Sequence, residues 1–361
     1  MKSGWVTKKL GEVCESISTR GCQIQQNEIC DIGKFPVVSQ SEAFIEGYTD
    51  FESAIESVPV VLFGDHTCCV KYIDFPFVVG ADGTKLLTSK QFEVKFLYYA
   101  ILRVSASLVD GKYRRHFKDL KKSDIPIPPL AEQKRIVAKI DAAFEKIDAL
   151  KANAEKNLAN AKELFQSALD EAMHPKTGWV EKRLPDISEN NDSKRVPITK
   201  SKRKSGTVPY YGASGIVDYV NDYIFDGSYL LVSEDGANLE SRTYPIAFSI
   251  SGKSWVNNHA HILKFEDADV QAYVELYLNS YSLKGYITGA AQPKLTQDNL
   301  NKIPINIPSS SSEIVKLVKQ LKLIQKKSNA LQQNYAQQIA DCAEMRQAIL
   351  REAFEGRIST N

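Results

Sequence analysis

An offset of 181 residues carries one long apolar-striped segment of this chain onto another without a gap. Ile136, Ile140, Ala143, Ile147, Leu150, Ala154, Ala161, Leu164 and Ala168 follow a 4-3-4-3 spacing, and so do Leu317, Leu321, Ile324, Leu331, Tyr335, Cys342, Met345 and Ile349. That spacing marks a heptad seam on an amphipathic helix. The offset also takes Lys146 to Lys327, Ala149-Leu150 to Ala330-Leu331, Gln166 to Gln347 and Leu169 to Leu350. A repeat of this kind predicts two equivalent structural units.

The duplication extends upstream. Leu120 with Ile125-Pro126-Ile127-Pro128 is answered by Leu300 with Ile305-Asn306-Ile307-Pro308, and Trp5-Val6, Lys8 and Leu10 by Trp179-Val180, Lys182 and Leu184. Between these marks each half reads as mixed α/β. Val58-Pro59-Val60-Val61-Leu62-Phe63 and Tyr229-Leu230-Leu231-Val232 are strand candidates, while Phe96 to Val104 and Val270 to Leu278 carry helical spacing. The expected organisation is a head over 1–128, a spacer helix over 129–174, a second head over 178–308 and a second spacer helix over 310–357.

Pro128-Pro129 opens the first helix and Pro175 with Gly178 closes it. Ser310 with Glu313 reads as a capping box for the second, and Gly356 as its stop. At about 1.5 Å per residue each helix is a rod of roughly 65 Å. Alone, each would leave its Ile/Leu stripe in water, so the two seams are expected to bury each other. An antiparallel pairing suits the chain order, because a parallel one would require the second head to span the whole rod. The fold class expected is therefore two mixed α/β globular heads separated by a long antiparallel two-helix coiled coil, with a pseudo-two-fold internal repeat.

Two similar heads on a stiff spacer suit a ligand with two separated features, and double-stranded DNA with a bipartite site is one. Lys+Arg number 46 against 44 Asp+Glu, so any DNA-attracting surface must be local. Lys112, Arg114, Arg115, Lys118, Lys121 and Lys122 form one basic cluster and Lys194, Arg195, Lys200, Lys202, Arg203 and Lys204 another. Phosphate oxygens are the partners expected for such clusters, with a solvated charge run as the plain alternative. Base edges would be met by polar loops after apolar strands. These are Ser39, Gln40, Ser41 and His66 in the first head, and Tyr211, Ser214, Asn238, Arg242, His259 and Lys294 in the second. Beside the helix seams, Val137, Leu158, Phe165, Leu169, Ile339 and Leu350 widen the apolar face and are candidate partner contacts.

Catalytic readings are thin. Ser251-Gly252-Lys253-Ser254 imitates the end of a phosphate-binding loop, but Ala247 stands where its first Gly belongs. Asp82, Glu93 and Lys95 imitate the acid-acid-lysine set of metal-dependent nucleases. His259 and His261 share one strand face without a visible third ligand, so no metal site is expected. The six cysteines show no paired Cys-x-x-Cys spacing, and no apolar run is long enough for a membrane span; a reduced, cytoplasmic protein is expected.

The Ile125-Pro126-Ile127-Pro128-Pro129-Leu130-Ala131-Glu132-Gln133-Lys134-Arg135-Ile136 segment resembles the helix boundary of type I restriction-modification specificity subunits. The paired Trp-Val openings and Gly289-Ala290-Ala291-Gln292-Pro293-Lys294-Leu295 are similar to that family too. The resemblance implies a non-catalytic subunit with two target-recognition domains. Its implied partners are an adenine methyltransferase present in two copies and a translocating restriction subunit. Those partners, not this chain, would bind S-adenosylmethionine, ATP and magnesium. The second boundary departs from the pattern, with Ile314 in the place of Gln133. A coiled-coil scaffold with two protein-binding heads is the alternative from another class.

Overall fold

The computed structural model describes residues 4–80, 83–109, 114–289 and 291–358. It divides into two compact units, residues 1–155 with 336–361, and residues 156–335. Each unit thus combines one head with a segment of both long helices, Leu130–Met173 and Ser311–Phe354.

In the first unit a four-stranded antiparallel sheet runs in the order Glu15–Ile17, Thr84–Thr88, Val60–Gly64, Val70–Ile73. The central Val60–Gly64 strand is buried on both faces. Val61 and Phe63 face a core shared with the helix Val94–Leu108, while Val60 and Leu62 face Val38, Phe77 and Val79. A second sheet pairs Phe35–Val38 antiparallel with Gly47–Thr49 and parallel with Val78–Val79. Strands Val6–Lys9 and Asp124–Ile127 close the unit as a ribbon.

The second unit repeats this order with other side chains. Its four-stranded sheet runs Glu189–Asn190, Ala260–Lys264, Tyr229–Ser233, Ala247–Ile250. The hairpin Ser205–Gly212 and Gly215–Val220 again pairs parallel with a later strand, Lys253–Val256. Trp179–Lys182 with Ile305–Pro308 repeats the closing ribbon. The repeated sequence marks are core positions in both units: Leu120, Ile125, Leu300 and Ile305 are fully buried.

Gln133 shows why the Glu-Gln boundary matters locally. It is buried, its Oε1 accepts the Glu93 N–H at 2.9 Å, and its Nε2 donates to the carbonyls of Pro128 and Gln91. These bonds satisfy buried polar groups while tying the first turn of the long helix to the start of the Val94–Leu108 helix. The equivalent Ile314 sits instead in the apolar core of the second unit. Glu313 does not close a capping box; its carboxylate accepts the Trp179 indole N–H at 3.3 Å, and Ser310 caps the helix through its backbone carbonyl.

In each unit the two helix segments run antiparallel. In the first unit Gln133, near the start of Leu130–Met173, contacts Glu93, while Phe354, at the far end of the other helix, packs on Phe96 with ring centroids 4.9 Å apart. Arg346 binds Asp148 and stacks over Phe144. In the second unit, Leu169 and Met173 share a core with Ile314, Val318 and Leu321.

The seam itself is shifted from the expected one. Ile140, Ile147, Ala154 and Ala161 are buried as expected, but their partners in the stripe are Phe144, Leu158 and Phe165 rather than Ala143, Leu150 and Leu164. Leu150, Leu164, Leu331 and Met345 are exposed. Both phases satisfy a 4-3-4-3 spacing, and the packing of each helix segment against the head of its unit selects the inward one. Of the expected partner contacts, Val137, Leu169 and Leu350 are buried in the unit cores, while Leu158, Phe165 and Ile339 are half-buried.

Ser328 takes a seam position, equivalent to Ile147. Its buried hydroxyl donates to the Ala161 carbonyl at 2.6 Å and accepts from Gln332. Ser328→Ala is expected to lower stability of the second unit by about 1 kcal/mol, measured as a shift in urea midpoint at unchanged slope.

Candidate nucleic-acid interface

In both units the loops that follow the central strand come together at the same topological end. In the first, buried Asp65 accepts the Phe117 N–H at 2.8 Å, and its carbonyl accepts the His116 N–H at 2.8 Å. That joins the His66-Thr67 loop to the basic segment holding Arg114, Arg115 and Lys118, all three exposed. The Thr67 hydroxyl donates to the Gln40 carbonyl at 2.7 Å, and the His66 N–H donates to Gln40 Oε1. The structure therefore gathers Gln40, Ser41, His66 and the basic residues. Lys112 and Asp82 lie outside the described residues.

Within that cluster not every candidate faces outward. Ser39 is buried, its hydroxyl donates to Glu46, and its carbonyl accepts from the Lys71 ammonium at 2.8 Å. Lys71 also donates to the Ala43 carbonyl, and burial lowers its pKa. Ser39 is a brace rather than a DNA contact. Arg114 is paired to Asp119 at 2.6 Å, and Arg114 together with Lys122 holds the Asp119 carboxyl below its ordinary range. Competition for Arg114 by phosphate is cheap, since exposed pairs of this kind contribute little.

The second unit gathers Tyr211, Ser214, His259 and Lys294. Asn257 N–H donates to the Tyr211 carbonyl, the Ser233 hydroxyl to the Ala213 carbonyl, Glu234 N–H to His259 and Leu295 N–H to Glu234. His259 is exposed on Asp235 at 2.9 Å, and Lys294 reaches Glu234 at 3.3 Å. Beneath them Asp192, Glu234 and His261 place their ligand atoms within 4.8 Å of one another, a set the sequence did not reveal. The donor chemistry is that of an ion network. Both ring nitrogens of His261 are already engaged within the protein, one on Asp192 at 2.5 Å and the other on the Leu295 carbonyl at 2.8 Å. Arg195 supplies the positive charge, 2.5 Å from Glu234 and 3.5 Å from Asp192. Burial alone would raise the Asp192 carboxyl, but the His261 hydrogen bond and charge, the Ile262 N–H and Arg195 outweigh it and hold it below its ordinary range.

Other candidates separate from this cluster. Lys200, Lys202 and Lys204 are exposed, but Lys204 joins the hairpin at the end away from the Gly212–Gly215 turn. The eight-residue strand between puts roughly 20 Å between that basic loop and Tyr211 and Ser214. Arg203 bonds Asp218 at 3.1 Å and stacks 4.2 Å over Tyr210, so it holds the hairpin together. Arg242, with φ of 49°, donates to the carbonyls of Asn279 and Tyr281 and caps the helix Ala268–Ser280. Asn238 uses both ends of its carboxamide on the Tyr244 backbone. All three side chains are thus engaged in bracing their own head.

The imitated catalytic sets also come apart. Glu93 caps a helix through the Phe96 N–H and Lys95 bonds Asp141 at 2.8 Å. Lys253 begins a strand instead of the helix a phosphate-binding loop requires.

The family model of the type I restriction modification DNA specificity domain matches residues 2–160 and again residues 176–340. The chain belongs to the type I restriction-modification specificity family. A type I restriction enzyme specificity subunit of Haemophilus influenzae is 37% identical over 140 residues, 38% of this chain and 36% of that protein. The Escherichia coli EcoR124I/EcoR124II specificity subunit is 26% identical over 241 residues, 61% of this chain and 59% of that protein. The matched part of the chain thus spans between about a third and three-fifths of these relatives. Among solved structures, a chain from work on complex assembly and conformational transition of the type I R-M system superposes with a TM-score of 0.76, at 19% identity over 99% of both chains. The HsdS subunit from Thermoanaerobacter tengcongensis gives 0.57, at 19% identity over 99% of this chain and 98% of that one. At such identity the likeness establishes the fold of this family member. Among its described residues no helix is long and apolar enough to cross a membrane.

Proposed function

We propose that this specificity-family member reads a bipartite site on double-stranded DNA, one half-site per head, with the helix pair setting the unspecified spacer. The observation that carries the reading is the recurrence of one sheet order with one loop cluster at its end, furnished with unlike side chains. Equivalent frames give equivalent approaches to a duplex, and different loop residues give different half-sites. In this reading the chain is not itself catalytic and binds no cofactor; S-adenosylmethionine, ATP and magnesium belong to methyltransferase and restriction subunits that it directs in the cytoplasm.

The exposed apolar residues on the helices support two equivalent methyltransferase contacts. Leu150 and Met345 lie in the first unit, Leu331 and Leu164 in the second, and the 181-residue offset carries Leu150 to Leu331 and Leu164 to Met345. One exposed pair per unit, conserved by the internal repeat, suits two copies of one partner. Leu150→Glu is expected to remove one methyltransferase copy from the complex, and Leu150→Glu with Leu331→Glu both. Native mass measurement reads the copy number, and an unchanged stoichiometry defeats the assignment.

Selection from random-sequence DNA by the chain with its methyltransferase tests the whole reading. A split motif is the expected product. Salt-insensitive indifference to DNA would favour a scaffold whose heads bind proteins, and metal-dependent cutting by the chain alone would favour a nuclease.

A further inference from the structure

The loop end of the first unit contains a cavity of about 460 Å³ lined mostly by amide and hydroxyl side chains, with Ile24, Gly80 and a Glu46 carboxylate that is already bonded to the Ser39 hydroxyl. Gln23, Gln25, Gln26 and Gln40 contribute carboxamides, Ser41 and Thr67 hydroxyls, and no cationic side chain is among its described lining residues. A phosphate group would need charge that this cavity lacks. An uncharged partner rich in donors and acceptors fits it, and the edge of a nucleic-acid base is of that kind.

The walls are held in place from below. The buried Lys71 ammonium binds the Ser39 and Ala43 carbonyls on either side of the Gln40-Ser41 loop, and Glu46 accepts from the Ser39 hydroxyl. Gln40 is positioned by its bond to the His66 N–H, and a Cβ on Gly83 would stand 2.8 Å from its Nε2, so that glycine makes room for it. On the opposite wall Gln23 is anchored by a backbone bridge to Val79, and the turn Gln26–Glu28 is fastened by the Gln25 N–H on the Glu28 carboxylate at 2.7 Å. Gln26 is exposed, Gln23 half-buried, and neither side chain makes a hydrogen bond among the described residues. Two unpaired carboxamides on a braced frame are what direct readout requires, because the geometry is set before the base arrives.

We infer that the carboxamides of Gln23 and Gln26 form the base-reading subsite of the first head and select an A·T pair through the N6 amino group and N7 of its adenine. A carboxamide presents one donor and one acceptor in a plane, the complement of that edge in the major groove. Guanine offers two acceptors there and cytosine only a donor, so neither satisfies both ends of one amide. The inference rests on the proposed reading of DNA and adds which residues of the first head read and which base they select.

The test uses the full chain with its methyltransferase. Selection from random DNA with Gln23→Ala and Gln26→Ala is expected to loosen one A·T position of one half-site by about ten-fold while the other half-site keeps its bases. Replacing that adenine by 7-deazaadenine, which lacks the N7 acceptor, is expected to weaken binding of the unaltered protein by about the same factor. This second arm does not depend on how a variant folds. A half-site without an A·T pair, or one indifferent to both changes, overturns the subsite while leaving a split-motif reader intact. Failure of the unaltered chain to select any split motif instead overturns the reading on which it rests.

Discussion

Insertion of one heptad between Glu155 and Lys156, and another between Tyr335 and Ala336, is expected to abolish recognition of the original DNA site and create recognition of a wider one. These points fall where the chain passes from one unit to the other. Seven residues add about 10.5 Å of helix, which at about 3.4 Å per base pair widens the spacer by up to about three base pairs. A heptad keeps the seam in phase to within about 20° of rotation, so Phe144, Leu158 and Phe165 stay on the inward face. The half-sites should keep their bases, because no loop that reads them is altered. Selection from random DNA resolves the two quantities separately. A changed half-site, or an unchanged gap, defeats the idea that the helices act as a ruler.

Arg195→Ala is expected to destabilise the second unit by about 3–5 kcal/mol, the range found when one partner of a buried ion pair is removed. Asp192 and Glu234 would remain nearly enclosed without their guanidinium, their side chains being 6% and 12% exposed. Arg195→Lys should restore only part of the loss. Arg195 also donates from Nη1 to the Ala260 carbonyl and from Nε to the Asp192 carbonyl, a spread of donors that one ammonium cannot match. Hydrogen exchange resolved by peptide would show the loss in strands Tyr229–Ser233 and Ala260–Lys264. Equal loosening of the first unit would refute a local network. Because the Asp192 carboxyl is held below its ordinary 3.8, unfolding takes up protons as pH falls through that value. Its stabilisation is therefore complete above about pH 4 and is lost as pH drops through the folded-state value. Asp192→Asn should flatten that acid slope.

These expectations rest on features that differed in how far they could be read in advance. The Val94–Leu108 and Ala268–Ser280 helices and the central strands follow from local periodicity. The gathering of Gln40, His66 and Arg114 was only half visible, since polar loops after strands are common and their meeting depends on Asp65 bonding across 52 residues to Phe117. Gln23-Ile24-Gln25-Gln26 was a legible polar run, but nothing local says that it faces Gln40 across a cavity. Arg203 and Arg242 stood in plausible basic stretches, and only the positions of Asp218, Tyr210 and the Tyr281 carbonyl turn them into braces.

By itself the amino-acid order determined that there are two units of one plan, where each long helix starts and stops, and which family the boundary residues resemble. Those properties depend on neighbours a few positions away and on self-similarity along the chain. Tertiary structure alone decided which of two adjacent apolar phases turns inward, so that Phe144 is buried and Leu150 exposed. It alone also decided that Asp192, Arg195, Glu234 and His261 meet in one network. Heptad spacing permits either phase and charged residues permit many partners. The choice is made by packing and desolvation between segments far apart in sequence.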